Sequence, residues 1–217
     1  MEWPYALSAS KLSGRYRSFT NSDVYSAAAG PGKTIADNIT TCEEFERGAH
    51  FNPYDVVDSM WKIFYFWAEN TEIYPIIFSL PAKKRMEKIK ALVETVDPYL
   101  DVEWYKAALI MEPRPGLQVI LLYAGTPGAF RALVKKEQRT KVQPHPLPLI
   151  KFADIRMKMV GRYIAMMCCE DLTAYALARL DHMPANEHEC EAAAAKIGFQ
   201  GIAGRSYFYV KNLVDEL

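Results

Sequence analysis

The chain has 217 residues, half of them apolar and 12% aromatic, with 26 Lys or Arg against 26 Asp or Glu. That composition excludes a mainly disordered chain and supplies a sizeable core for one globular domain or two closely packed lobes. The longest uncharged apolar stretch, 117–130, is broken by Gly125, Pro127 and Gly128, which excludes a membrane-spanning helix there.

Residues 1–22 read as an extended arm, because Ser, Gly, Arg and Lys alternate with Trp3, Tyr5, Tyr16 and Phe19 in no clear period. Residues 23–217 form the helical domain, either single or two lobes meeting near 113–150. Asn52-Pro53 is a cap and first-turn pair that predicts a mostly buried helix carrying Val56, Met60, Trp61, Phe64 and Trp67. Met86, Ile89, Val93 and Val96 share one face of a helix over 83–96, and Asp97-Pro98 starts another running to about Glu112. Leu117 to Tyr123 fits a buried strand or a helix segment. Thr126-Pro127 opens a basic helix, 143–148 is a proline-broken connection, and Phe152 to about Asp181 predicts a long helix bent near Gly161. Asn186 caps an Ala-rich helix that ends at Gly198, and Ser206 starts a last amphipathic turn carrying Phe208, Leu213 and Leu217. The expected fold class is mainly α: a multi-helix globular core, an extended N-terminal arm and at most a small β element.

Motifs for chemistry are sparse. Residues 27–34, ending Gly32-Lys33-Thr34, fit a loose phosphate-loop pattern, but no apolar strand precedes them and Pro31 removes a needed amide, so a Gly-Pro-Gly turn is the better reading. His182, His188 and Cys190 with Cys168 and Cys169 are a zinc-type donor set at spacings that match no structural zinc module. No metal or cofactor is expected. No G-x-S-x-G elbow occurs and the adjacent Glu170 and Asp171 point apart on a helix, so no catalytic residue is assigned and the balance is against an enzyme. The four cysteines contain no C-x-x-C pair, which makes reduced thiols the expectation and the sequon at Asn38 incidental. With no leader-like start, the expected location is intracellular, in the cytoplasm or within a virion.

Charge is sorted along the chain. Residues 113–162 carry ten Lys or Arg against Glu137 and Asp154 alone, while 37–82 hold eight acids and two bases. At 100° per residue Arg131, Lys135 and Arg139 form one stripe, and Lys151, Lys158 and Arg162 form another on the next helix. With Lys136 and Lys141 they would line a groove for a phosphate backbone, and Tyr163 would stack on bases beside Tyr123 and Phe152. Arg156 falls in the apolar arc and is expected to pair with a buried carboxylate, Asp171 or Asp181. The expected function is therefore a non-enzymatic binder of single-stranded RNA or DNA. It would self-assemble through the N-terminal arm and the C-terminal helix, with no membrane partner. In organisation, a neutral helical core with a basic groove and terminal arms, the chain resembles the nucleocapsid and coat proteins of filamentous RNA viruses. The alternative is a helical interaction module or small-ligand enzyme that recognises an acidic or phosphorylated partner.

Overall fold

The computed structural model describes residues 39–69, 71–136 and 149–209, and the expected arm over 1–22 and the 27–34 loop lie outside them. Over the described residues the expectation of a helical core is overturned, because the chain is mainly β. Eight strands, β1 (Met60–Trp67), β2 (Pro75–Ser79), β3 (Leu109–Arg114), β4 (Leu117–Tyr123), β5 (Ala129–Lys136), β6 (Leu149–Val160), β7 (Tyr163–Cys168) and β8 (Thr173–Arg179), follow one another around the sheet. Each pairs antiparallel with the next, and β1 pairs with both β2 and β8, so the sheet closes into an up-and-down barrel. A short β9 (Arg205–Ser206) pairs with β1 at Phe66 and Tyr65.

Each corrected element has a physical reason. Asn52 does accept a cap hydrogen bond from the Tyr54 amide (3.2 Å), but Pro53 opens only a single 3-10 turn, Pro53–Asp55. The chain then turns through Asp58 at φ 59° and continues as β1. β1 is buried on both faces: Trp61, Ile63 and Phe66 belong to the interior cluster, Phe64 and Trp67 to an outer one. An apolar run without a polar face shows no period, so strand and helix look alike. The basic helix expected after Thr126-Pro127 is β5, and the long helix expected from Phe152 to Asp181 is β6, β7 and β8, turned at 161–162 and 169–172. The helix expected from Pro98 to Glu112 is an irregular segment followed by β3, and Leu117 to Tyr123 is β4.

Two helices match their sequence signals. α2 (Lys83–Val96) buries Ile89 and Val93 against Leu122 and Leu133 on the outside of the barrel. α3 (Glu187–Ile197) is capped by Asn186, which accepts from the Glu189 amide at 2.9 Å, and ends at left-handed Gly198. Small outward residues on β7 and β8, Ala165, Ala174, Ala176 and Ala178, let α3 lie close through Ala193, Ala194 and Ile197. A short α1 (Cys42–Glu46) runs over β6 with Phe45 buried beneath it. A disulfide joins Cys42 to Cys169, which corrects the expectation of four reduced thiols; Cys168 and Cys190 are free and buried.

The barrel interior is apolar, and one end is sealed by the chain entering β1. The Trp61 indole N–H donates to the Val56 carbonyl (2.8 Å), and the Arg179 guanidinium lies 5.3 Å from the Trp61 ring centre while donating to the Asp55 carbonyl (3.0 Å). Phe51 meets Phe130 edge-on with ring centres 5.6 Å apart. Apolar side chains pointing inward are the reverse of the polar lumen of membrane-spanning barrels. No helix among the described residues is long and apolar enough to cross a membrane.

Candidate functional site at the open end of the barrel

Opposite the sealed end, strands β1 and β2, β3 and β4, and β7 and β8 are joined by the connections 68–74, 115–116 and 169–172, and the connection of β5 to β6 at the same end, 137–148, lies outside the described residues. Among them a pocket enters the barrel. Its apolar wall is Ile63, Ile76, Pro113 and Met166, and its polar groups come from Thr71, Glu72, Tyr74, Arg114 and Tyr175. Empty space including the mouth is about 400 Å³, of which about 30 Å³ is room for water. That is enough for a water or two at rest, since a single water needs about 10–15 Å³ by the same measure. A larger guest needs lining side chains to move, and Met166 among them is of the type that repacks most readily.

Tyr175 is only 6% exposed, yet its hydroxyl has no hydrogen-bond partner among the described residues, and the same holds for the buried hydroxyls of Thr71 and Thr173. An unmet buried hydroxyl costs about 1–3 kcal/mol, and native structures normally satisfy such groups with water or a ligand. Burial raises the Tyr175 phenol above its ordinary range; the nearby Thr173 hydroxyl opposes that rise without reaching hydrogen-bond geometry. Cys168, the last residue of β7, donates to Glu170 Oε2 at 3.4 Å. Burial, then the charges of Glu170 and Asp171, push its thiol up to about 12. Asp171 is itself raised by burial, with Lys151 opposing. On the other rim Arg114 pairs with Glu72 at 3.2 Å.

The basic residues singled out by sequence are spread over two faces of the barrel wall. Strand alternation puts Lys151 on the side of Ala153, Ile155 and Met157, and Lys158 on the opposite side, so the arc they shared as a helix does not exist. Arg131 pairs with Asp154 at 3.0 Å. Arg156 pairs at 2.6 Å with Glu46 of α1, which corrects the expected partners Asp171 and Asp181; Glu46 also receives the Thr126 hydroxyl. Lys158 stands 4.4 Å from the Phe45 ring centre, and burial lowers its pKa. Arg162, in the turn between β6 and β7, donates to the Tyr163 hydroxyl at 3.2 Å. Lys135 and Lys136 lie on β5 with side chains outside the described residues, as are Arg139 and Lys141.

Among the described residues no three or more His, Cys, Asp or Glu come together as a metal site; His182 faces Asp181 at 3.0 Å and Cys190 is on the buried face of α3. Sequence reasoning missed Thr71, Arg114, Thr173 and Tyr175. The one available signal was Thr173, Tyr175 and Leu177 at a spacing of two, masked by the intervening alanines. No protein family, curated protein or solved structure matches the chain.

Proposed function

We propose that this protein is a carrier of a small, mainly apolar molecule, held in the open end of the barrel. One observation supports the reading above others: among the described residues, a closed barrel with an apolar interior opens at one end into a pocket floored by Ile63, Ile76 and Met166, with the buried Tyr175 hydroxyl unpartnered beside them. Eight-stranded barrels are just wide enough inside to be filled by side chains or to hold one small ligand, the use made of them by lipocalins. That comparison is one of architecture alone. The Cys42–Cys169 disulfide supports a working place in an oxidising compartment outside the cytosol.

The test is titration of the purified protein with small apolar molecules, read by displacement of an environment-sensitive dye and by the fluorescence of the interior Trp61. Ile76→Trp, which fills the pocket, should abolish binding while the barrel stays folded. Equal binding by that variant, or no binding of any apolar molecule by the parent, would sink the reading.

A second reading, binding of single-stranded nucleic acid with self-assembly through the chain termini, is supported by the excess of bases over acids in 113–162 and by the common outer face of Arg131, Arg156 and Lys158. Its test is strand affinity that rises with length and falls by about 0.7 log units per log unit of salt for each phosphate neutralised. Full affinity retained in Lys158→Glu with Arg162→Glu removes it.

A further inference from the structure

Resting on the carrier reading, we propose that the pocket selects a neutral ligand bearing an alcohol, ketone or ester oxygen, and discriminates against carboxylates, with the hydroxyls of Tyr175 and Thr71 as its polar anchor. Both hydroxyls are buried, both belong to residues lining the pocket, and neither has a partner among the described residues. A hydroxyl can donate to a carbonyl or exchange both roles with an alcohol, so two of them suit a neutral oxygen without any charge on the ligand.

Among the described residues, the charged groups lining the pocket, Arg114 and Glu72, are matched to each other. Arg114 is 15% exposed at its side chain and engaged with Glu72 at 3.2 Å, so its guanidinium is not waiting for a carboxylate. The opposite rim is acidic, with Glu170 and Asp171 set against Lys151. Burial raises the Tyr175 phenol in the pocket, and Cys168 and Asp171 near it, toward their uncharged forms. A ligand carboxylate entering the same surroundings meets the same penalty, because desolvation disfavours the ionised form whoever carries it.

A chain-matched series separates this inference from the carrier reading beneath it: 1-octanol, 2-octanone, octanoate and octane, each titrated at pH 7 against a bound dye. Octanol and octanone should bind at least about tenfold more tightly than octanoate, and Tyr175→Phe should weaken both by about three- to tenfold while leaving octane within about twofold. Thr71→Val should act in the same direction, which keeps the test intact should Tyr175→Phe fold poorly. Octanoate binding as tightly as octanol, or octanol binding unaffected by both substitutions, overturns the inference and leaves the carrier reading standing. Failure of all four compounds to bind overturns both.

Discussion

The Cys42–Cys169 bridge spans 127 residues of sequence and ties α1 to the turn between β7 and β8. Closing a loop of that length in the unfolded chain removes about 16 cal/mol/K by the loop-closure relation, or about 5 kcal/mol at 25 °C. Ordinary domains are stable by about 5–15 kcal/mol, so this one covalent link matches a third or more of the whole. The perturbation is Cys42→Ser with Cys169→Ser, leaving Cys168 and Cys190 in place. At a urea dependence of about 2.5 kcal/mol per molar, the unfolding midpoint should drop by about 2 M. α1 holds Phe45 against the barrel and leads into the segment that seals it, so the loss should also show locally, as faster amide exchange near Trp61. Thiol titration in denaturant without reductant gives the companion measurement, with two reactive groups expected out of four cysteines. Four reactive groups, or a midpoint shift under about 0.5 M, would refute the reasoning.

Three further outcomes follow from particular contacts. Gly128 holds φ +85°, and an added Cβ would overlap the Met157 carbonyl, so Gly128→Ala should cost about 2 kcal/mol or more; an unchanged urea midpoint would count against the tight turn. Arg179→Gln removes both the stacking on Trp61 and the hydrogen bond to the Asp55 carbonyl, which should cost about 2 kcal/mol and change the near-ultraviolet dichroism of the buried indole. The folded chain keeps the Cys168 proton that the unfolded chain releases, so stability is full below about pH 9 and declines as pH rises toward about 12. Cys168→Ala should lessen that decline, and identical alkaline profiles for the two proteins would contradict the burial of the thiol.

What the sequence made legible was decided by how many faces of an element are buried. α2 presents one apolar face to the barrel and solvent to the other, so Met86, Ile89 and Val93 reveal its period directly. α3 was legible from its ends, Asn186 and Gly198, more than from its middle. Strands β1, β7 and β8 have the interior on one side and helix-covered apolar surface on the other, and the alanines of β7 and β8 favour helix by propensity. The basic stripe misled for a different reason: Arg131 and Lys135 are an even number apart, and an even spacing of four keeps residues together on a strand as well as on a helix. Pro115-Gly116 and Gly161-Arg162, each between apolar runs, were the short turns that could have signalled hairpins. The pocket was not legible, because its polar groups come from β8, the β1–β2 connection and the end of β3, which only barrel closure brings together.

Charge sorted along a chain need not be charge sorted in space. Glu46 and Glu72 belong to the acidic stretch before residue 82, yet they meet Arg156 and Arg114 of the basic stretch at 2.6 and 3.2 Å. Barrel closure produces this exchange, since α1 crosses outside β6 and the β1–β2 connection rises beside the end of β3. Asp154 adds a third pair with Arg131 from the adjoining strand. Such pairs on the outer wall and rim contribute little each to stability, about 0–1 kcal/mol where exposed. Their consequence is electrostatic: these guanidinium groups are neutralised beside an interior built of Trp61, Phe66, Phe130 and Met157. Among the described residues lining the pocket, Arg114 and Glu72 offset each other, which leaves apolar surface and the hydroxyls of Thr71 and Tyr175 to recognise a guest. The same balance predicts that Glu72→Gln, by removing the carboxylate paired with Arg114, should narrow the preference for octanol over octanoate; a preference unmoved by that change would place the origin of selectivity elsewhere.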